Sequence, residues 1–185
     1  MSETIHEKEG YKIKKHTFNL FWANLFSLIL MVIFGILFFV PYLLLWQNLN
    51  FKGQWIWIVF LLIGLALHEL IHGITFAILN KDYKFKHIHF GIKWKYLTPY
   101  CHCDLPMKIS DYIIGGLMPL LLLGIFPALV GICFHHFEWV VFGIFFSASS
   151  AGDILIVWQT RKMPKESLIL DNPNEIGFLV YEKMV

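Results

Sequence analysis

Four long apolar runs, separated by short polar intervals, set the rhythm of this chain. Residues 18–46 contain no Asp, Glu, Lys, Arg or His, and residues 55–79 are interrupted only by His68, Glu69 and His72. Residues 112–134 are free of Asp, Glu, Lys, Arg and His, and residues 139–158 carry a single such residue, Asp153. A helix needs about 20 mostly apolar residues to cross a bilayer, so each run predicts one transmembrane helix. The first run is longer than a bilayer requires, which predicts tilt, or a bend or ending near Pro41.

The polar intervals carry the orientation. Residues 1–17, 47–54, 80–111, 135–138 and 159–185 hold four, one, six, no and four Lys or Arg residues. With four crossings the first, third and fifth intervals share a side, and that side holds fourteen of the fifteen basic residues. The positive-inside rule places both termini and the long central loop in the cytoplasm. Trp22, Trp46, Trp55, Trp57, Trp139 and Trp158 gather near span ends, as interfacial aromatic belts do. The expected fold class is an all-α polytopic membrane protein. It forms a single membrane domain over residues 1–185, with a cytoplasmic tail at 159–185.

Two soluble features stand out. From Tyr83 to Phe90 and from Ile92 to Tyr96, polar and apolar residues alternate with period two around Gly91. This predicts a short β-hairpin, turning at Gly91, between the second and third helices. Its lysines are suited to anionic head groups of the lipid bilayer. The tail has Pro164 and the turn sequence Asp171-Asn172-Pro173-Asn174, so it is expected to be extended with little helix.

Composition agrees with the pattern. The 185 residues are 57% hydrophobic, 17% aromatic and 15% charged, against roughly 45–50% apolar and about 25% charged in soluble domains. Such a chain is neither disordered nor, with three cysteines, a disulfide scaffold. A net charge of +2 gives no footprint for nucleic acid.

The chemistry lies in the few polar groups inside the runs. Histidines at i and i+4 share one helix face, so His68 and His72 can hold one metal ion between them. Glu69 is placed to act as general base toward a water on that metal without ligating it. A carboxylate inside a span costs on the order of 3 kcal/mol unless it is partnered. Asp153 is the other such carboxylate. His72 lies nine residues before Lys81 and Asp153 eight before Arg161, so at about 1.5 Å per residue both sit roughly 12–14 Å inside the cytoplasmic boundary. Two imidazoles and a carboxylate at one depth make a three-ligand site with a fourth zinc position open. Small residues (Gly64 and Gly73, and the run from Ser147 to Gly152) allow the helices to approach closely. Ser149 and Ser150 are candidates to support Asp153, and His102 is a candidate for the mouth of the site. The pair Cys101 and Cys103 lacks the spacing of a zinc knuckle.

The segment His68-Glu69-Leu70-Ile71-His72-Gly73, with Tyr100-Cys101-His102, Pro119 and Gly152-Asp153-Ile154, resembles the Putative zincin peptidase family of bacterial membrane proteins. That family is similar to the site-2 proteases, in which an HExxH helix and an aspartate from a later helix bind zinc within the bilayer. Those enzymes usually show Asp-Gly at the later site, whereas this chain has Gly152-Asp153. The resemblance implies a membrane metalloprotease with Zn2+ as cofactor, located in the bacterial inner membrane.

The expected function is therefore a zinc-dependent intramembrane endopeptidase acting on a membrane-embedded or juxtamembrane protein or peptide. Glu69 is its catalytic residue, and His68, His72 and Asp153 are its metal ligands. The hairpin can receive an unwound substrate segment as an added strand. The alternative is a non-catalytic membrane protein with a structural or zinc-sensing site. A proton or ion relay through Glu69 and Asp153 is a third, which four spans without an internal repeat do not favour.

Overall fold

The computed structural model describes residues 3–8, 11–49, 56–79, 85–94, 98–172 and 177–183. Helix α1 spans Leu20–Trp46 and α2 spans Ile56–Leu79. The Asn19 side chain accepts a hydrogen bond from the Phe21 N–H and starts α1, while Gln47, in the left-handed region at φ 56°, ends it. Pro41 neither ends nor breaks α1, which continues through the buried Tyr42 beside it. Next come α3 (Ile109–Pro119), a π-helical segment (Leu120–Ile125) and α4 (Phe126–Cys133), a continuous helical run beginning three residues before the expected third span. The expected fourth span is two helices, α5 (Phe137–Ser149) and α6 (Ala151–Thr160), meeting at a bend of 46°. Helices α1 and α2 and the run Ile109–Cys133 are each long and apolar enough to cross a membrane, and the α5–α6 pair adds a fourth candidate if it counts as one span. Large apolar side chains such as Leu28, Val32, Ile36, Ile58 and Leu62 lie on the outer surface of α1 and α2, as a helix facing lipid requires.

The chain is not all-α. Strands β1 (Glu3–Lys8), β2 (Tyr11–Thr17), β5 (Met107–Lys108), β6 (Leu168–Asp171) and β7 (Gly177–Lys183) form one antiparallel sheet in the order β1-β2-β7-β6-β5. Residues from before α1, between α2 and α3, and after α6 thus meet in one sheet. Its inner face supplies Met107, Ile169, Phe178 and Val180 to a core shared with Phe76, Ile88 and Tyr112. The turn residues Pro173 and Asn174 lie outside the described residues.

In the α2–α3 connection, β3 (Ile88–Lys93) and β4 (Thr98–Cys103) pair antiparallel. The expected turn at Gly91 is not there: Gly91 lies inside β3, opposite Tyr100. Phe85–His87 is a 3-10 turn, and Tyr83, Lys84, Lys95 and Tyr96 lie outside the described residues. The alternation that suggested two strands belongs largely to one, because glycine in a strand can mark a close contact as readily as a turn. Here the Tyr100 ring lies across Gly91, where a Cβ would meet it at 2.7–2.8 Å.

Side-chain bonds fasten these parts together. The Ser27 hydroxyl donates to the Ala148 carbonyl at 3.0 Å, joining α1 to α5, and the Trp46 indole N–H donates to the Ile132 carbonyl at 2.8 Å, joining α1 to α4. The Tyr112 hydroxyl donates to the Asp171 carboxylate at 2.5 Å, joining α3 to β6. Burial pushes the Asp171 carboxyl up to about 6, against the lowering effect of the Tyr112 hydrogen bond. A carboxyl raised on folding binds its proton more tightly in the native state, so its contribution is fully present below about pH 4 and is lost as pH rises through about 6. Thermal unfolding of the wild-type protein in detergent should therefore show a stability loss on the order of 3 kcal/mol between pH 4 and pH 7. Asp171→Asn should remove that slope; an unchanged slope would contradict the assignment.

Candidate metal centre

The site begins with three glycines that let elements touch. A Cβ at Gly64, one turn before His68, would overlap the Phe146 ring of α5, and one at Gly73 would overlap Phe90 of β3. A Cβ at Gly115 would overlap Phe76, so glycine there brings α3 against α2. That approach places the Gly115 carbonyl 2.9 Å from His72 Nδ1. A carbonyl only accepts, so Nδ1 carries the proton and Nε2 presents its lone pair to the interior.

Asp153 arrives from the opposite side. The bend at Ser150 starts a new helix in the protein interior, and Asp153 falls in the first turn of α6, where the helix dipole favours negative charge. Its Oδ2 lies 3.4 Å from His68 Nε2 and its Oδ1 lies 3.4 Å from His72 Nε2. The two imidazole rings are 4.9 Å apart between centroids, at 73°. One donor atom from each of His68, His72 and Asp153 lies within 4.8 Å of the other two, and among the described residues this is the group able to hold a metal ion.

The donors suit zinc. Two ligand atoms about 2.0–2.1 Å from one tetrahedral ion stand roughly 3.3–3.4 Å apart, which is the spacing between Asp153 and each histidine. The His72 hydrogen bond to Gly115 is the outer support that metal-binding imidazoles commonly have. His68 Nδ1 is buried without such a partner among the described residues.

A cavity of ≈370 Å³ opens over these atoms, in the size range of ligand clefts. Its walls include Glu69, which follows His68 on α2 and is not one of the three grouped donors. Strand β4 forms another wall through Pro99, Tyr100 and Cys101. The Asp104 N–H bonds the His87 carbonyl at 3.0 Å. By antiparallel alternation the backbone groups of Pro99, Cys101 and Cys103 therefore face away from β3. The Cys101 N–H is turned to Glu69 and the Cys103 N–H to Asp171, and Pro99 has no N–H to leave unpaired. Burial, with Glu69 and Asp171 nearby, pushes the Cys101 thiol up, so it stays protonated and is a poor nucleophile or metal ligand.

Other expected residues make different contacts. The Ser149 and Ser150 hydroxyls donate to the Phe146 carbonyl at 2.9 and 3.1 Å rather than to Asp153, stabilising the bend instead of the carboxylate. His102 is not part of the cavity wall; its ring packs beside those of His89 and Tyr100. His87 and His89 hold Asp104 between them at 2.9 and 3.0 Å. These hydrogen bonds, His89's first, keep the Asp104 carboxyl below the usual carboxylate range. Three polar wall residues escaped sequence reasoning. Asn24 is a polar but uncharged residue in the first apolar run, Tyr112 lies at the edge of the third, and Asp171 was read only as part of a turn. An amide inside an apolar run is itself a signal that a search limited to ionisable groups does not register.

Residues 61–168 match the family described as "Putative zincin peptidase". The matched stretch is more than half of the chain and contains His68, Glu69, His72 and Asp153, while leaving out α1 and Asp171. No curated protein and no solved structure matches the chain.

Gly115→Val should force α3 away from Phe76, at a cost of about 1–3 kcal/mol in stability. Loss of the Gly115–His72 hydrogen bond should lower zinc affinity by roughly 10–100-fold. Titration of the apo protein with zinc against a competing chelator checks this. Unchanged affinity would show that α3 does not orient His72.

Proposed function

This chain belongs to the Putative zincin peptidase family, and on that premise we propose that it is a zinc-dependent endopeptidase working within the membrane. The observation that carries the reading is a carboxylate, Glu69, lining the same cavity as the three convergent donors of His68, His72 and Asp153 without belonging to their group. A purely structural zinc site usually takes four protein ligands and needs no further acid. The alternative of a structural or zinc-sensing site leaves Glu69 unexplained.

The chain crosses the bilayer four times in this reading. The supporting observation is the five-stranded sheet: β2 before α1, β5 before α3 and β7 after α6 lie together, so an even number of crossings separates each from the next. The excess of basic residues on that side supports a cytoplasmic assignment for it, and in this reading the membrane is the bacterial inner one.

His68, His72 and Asp153 would hold the ion, with the two histidines neutral and Asp153 ionised. Bound zinc supplies a Lewis acid that brings the pKa of water near 7. Glu69 takes one proton from the attacking water as its oxygen bonds to the substrate carbonyl carbon. The C–N bond then breaks, and Glu69 passes that proton to the departing amine nitrogen, leaving a carboxylic acid and an amine. Because Cys101 N–H is engaged with Glu69, the β4 edge offers an unwound substrate mainly the carbonyls of Pro99 and Cys101 as acceptors.

Glu69→Gln should retain zinc, about one ion per chain, while lowering cleavage of a reconstituted mixture of transmembrane peptides on the order of 10²–10⁴-fold. Mass spectrometry of the products, with metal analysis of the same sample, measures both. Wild-type cleavage persisting in this variant, or a wild-type protein that binds no zinc, would sink the proposal.

A further inference from the structure

The cavity contains more negative charge than the proposed hydrolysis uses. Its walls include three carboxylates, Glu69, Asp153 and Asp171, and no lysine or arginine among the described residues. A divalent ion held by neutral His68 and His72 would balance Asp153 and Glu69. Asp171 remains. Its hydrogen-bond partners, the Tyr112 hydroxyl and the Cys103 N–H, are neutral. An anchor between α3 and β6 would need only a neutral acceptor, and a carboxylate without a counter-charge is costly to enclose.

Position adds direction. Cys101 faces Glu69 and Cys103 faces Asp171 along the same edge of β4. Two residues of strand separate these levels, roughly 6.8 Å. A peptide lying along β4 with its scissile bond at Glu69 would therefore reach Asp171 within one or two residues. The Tyr112 and Tyr100 rings in the same walls suit the stem of a long cationic side chain.

We propose that Asp171 forms a specificity subsite for a cationic group, a lysine or arginine side chain, next to the scissile bond. This rests on the metallopeptidase reading above and extends it to the substrate. Asp171 falls outside the stretch matched to the family, so the preference would belong to this chain's own tail.

The test uses small peptide hydroxamates, which anchor on zinc, carrying either lysine or its uncharged analogue norleucine on one or the other side of the hydroxamate. Binding to the zinc-loaded protein is measured by calorimetry. At least one orientation should favour lysine by 10-fold or more, and in Asp171→Asn the lysine-to-norleucine ratio should fall to within about twofold of one. Equal wild-type affinities in both orientations would overturn the subsite. So would a variant that weakens both ligands by the same factor, since that is the mark of a structural role. If Asp171→Asn does not fold, the wild-type ratio alone decides. A wild-type protein that binds no zinc and no hydroxamate would instead overturn the metallopeptidase reading, and the subsite with it.

Discussion

The imidazole of His72 is engaged at both nitrogens, and much of the fold follows from that. Nδ1 donates to the Gly115 carbonyl, and Nε2 faces Asp153 across 3.4 Å. In an apolar helix layer each polar group must find its partner inside the protein, because no water is at hand to supply one. The first contact needs α3 against α2, hence no side chain at Gly115. The second needs α6 to begin near Asp153, hence the break at Ser150. One ring thus ties together three helices that are far apart in the sequence.

The five-stranded sheet does for the ends of the helices what His72 does for their centre. Strand β6 carries Asp171 to the cavity, and the Tyr112 hydroxyl binds it from α3, the helix that also provides Gly115. The tail is therefore coupled to the same helix that orients His72. Strand β4 completes the arrangement, its outward backbone turned to Glu69 and Asp171 while Ile88 and Phe90 of β3 pack near Gly73. Helix layer, strand pair and sheet converge on one cavity.

The centre of the site was legible because ionisable residues inside apolar runs are few. His68 and His72 share a helical face by spacing alone, and counting residues from the basic boundary brought Asp153 to the same depth. The sheet was much harder to read. Pairing of β2 with β7 joins residues such as Tyr11 and Lys183, and nothing local in Tyr11-Lys12-Ile13-Lys14 specifies a partner at the far end of the chain. Asp171 looked like a turn residue because turns and strand ends favour the same polar types. Its place at the end of the apolar Leu168-Ile169-Leu170 strand is itself a signal, an acid closing an apolar segment. The bend at Ser150 had a signal as well, in the dense run of serine, alanine and glycine, but such runs serve close packing and helix breaks alike.

The claim on which the rest depends is that one ion sits among His68, His72 and Asp153. X-ray absorption at the zinc edge of the purified protein tests it most directly. The account predicts one zinc per chain, a first shell of about four nitrogen and oxygen neighbours near 2.0–2.1 Å without sulfur, and loss of that signal in Asp153→Ala. Sulfur in the first shell, or an unchanged spectrum in Asp153→Ala, would contradict it.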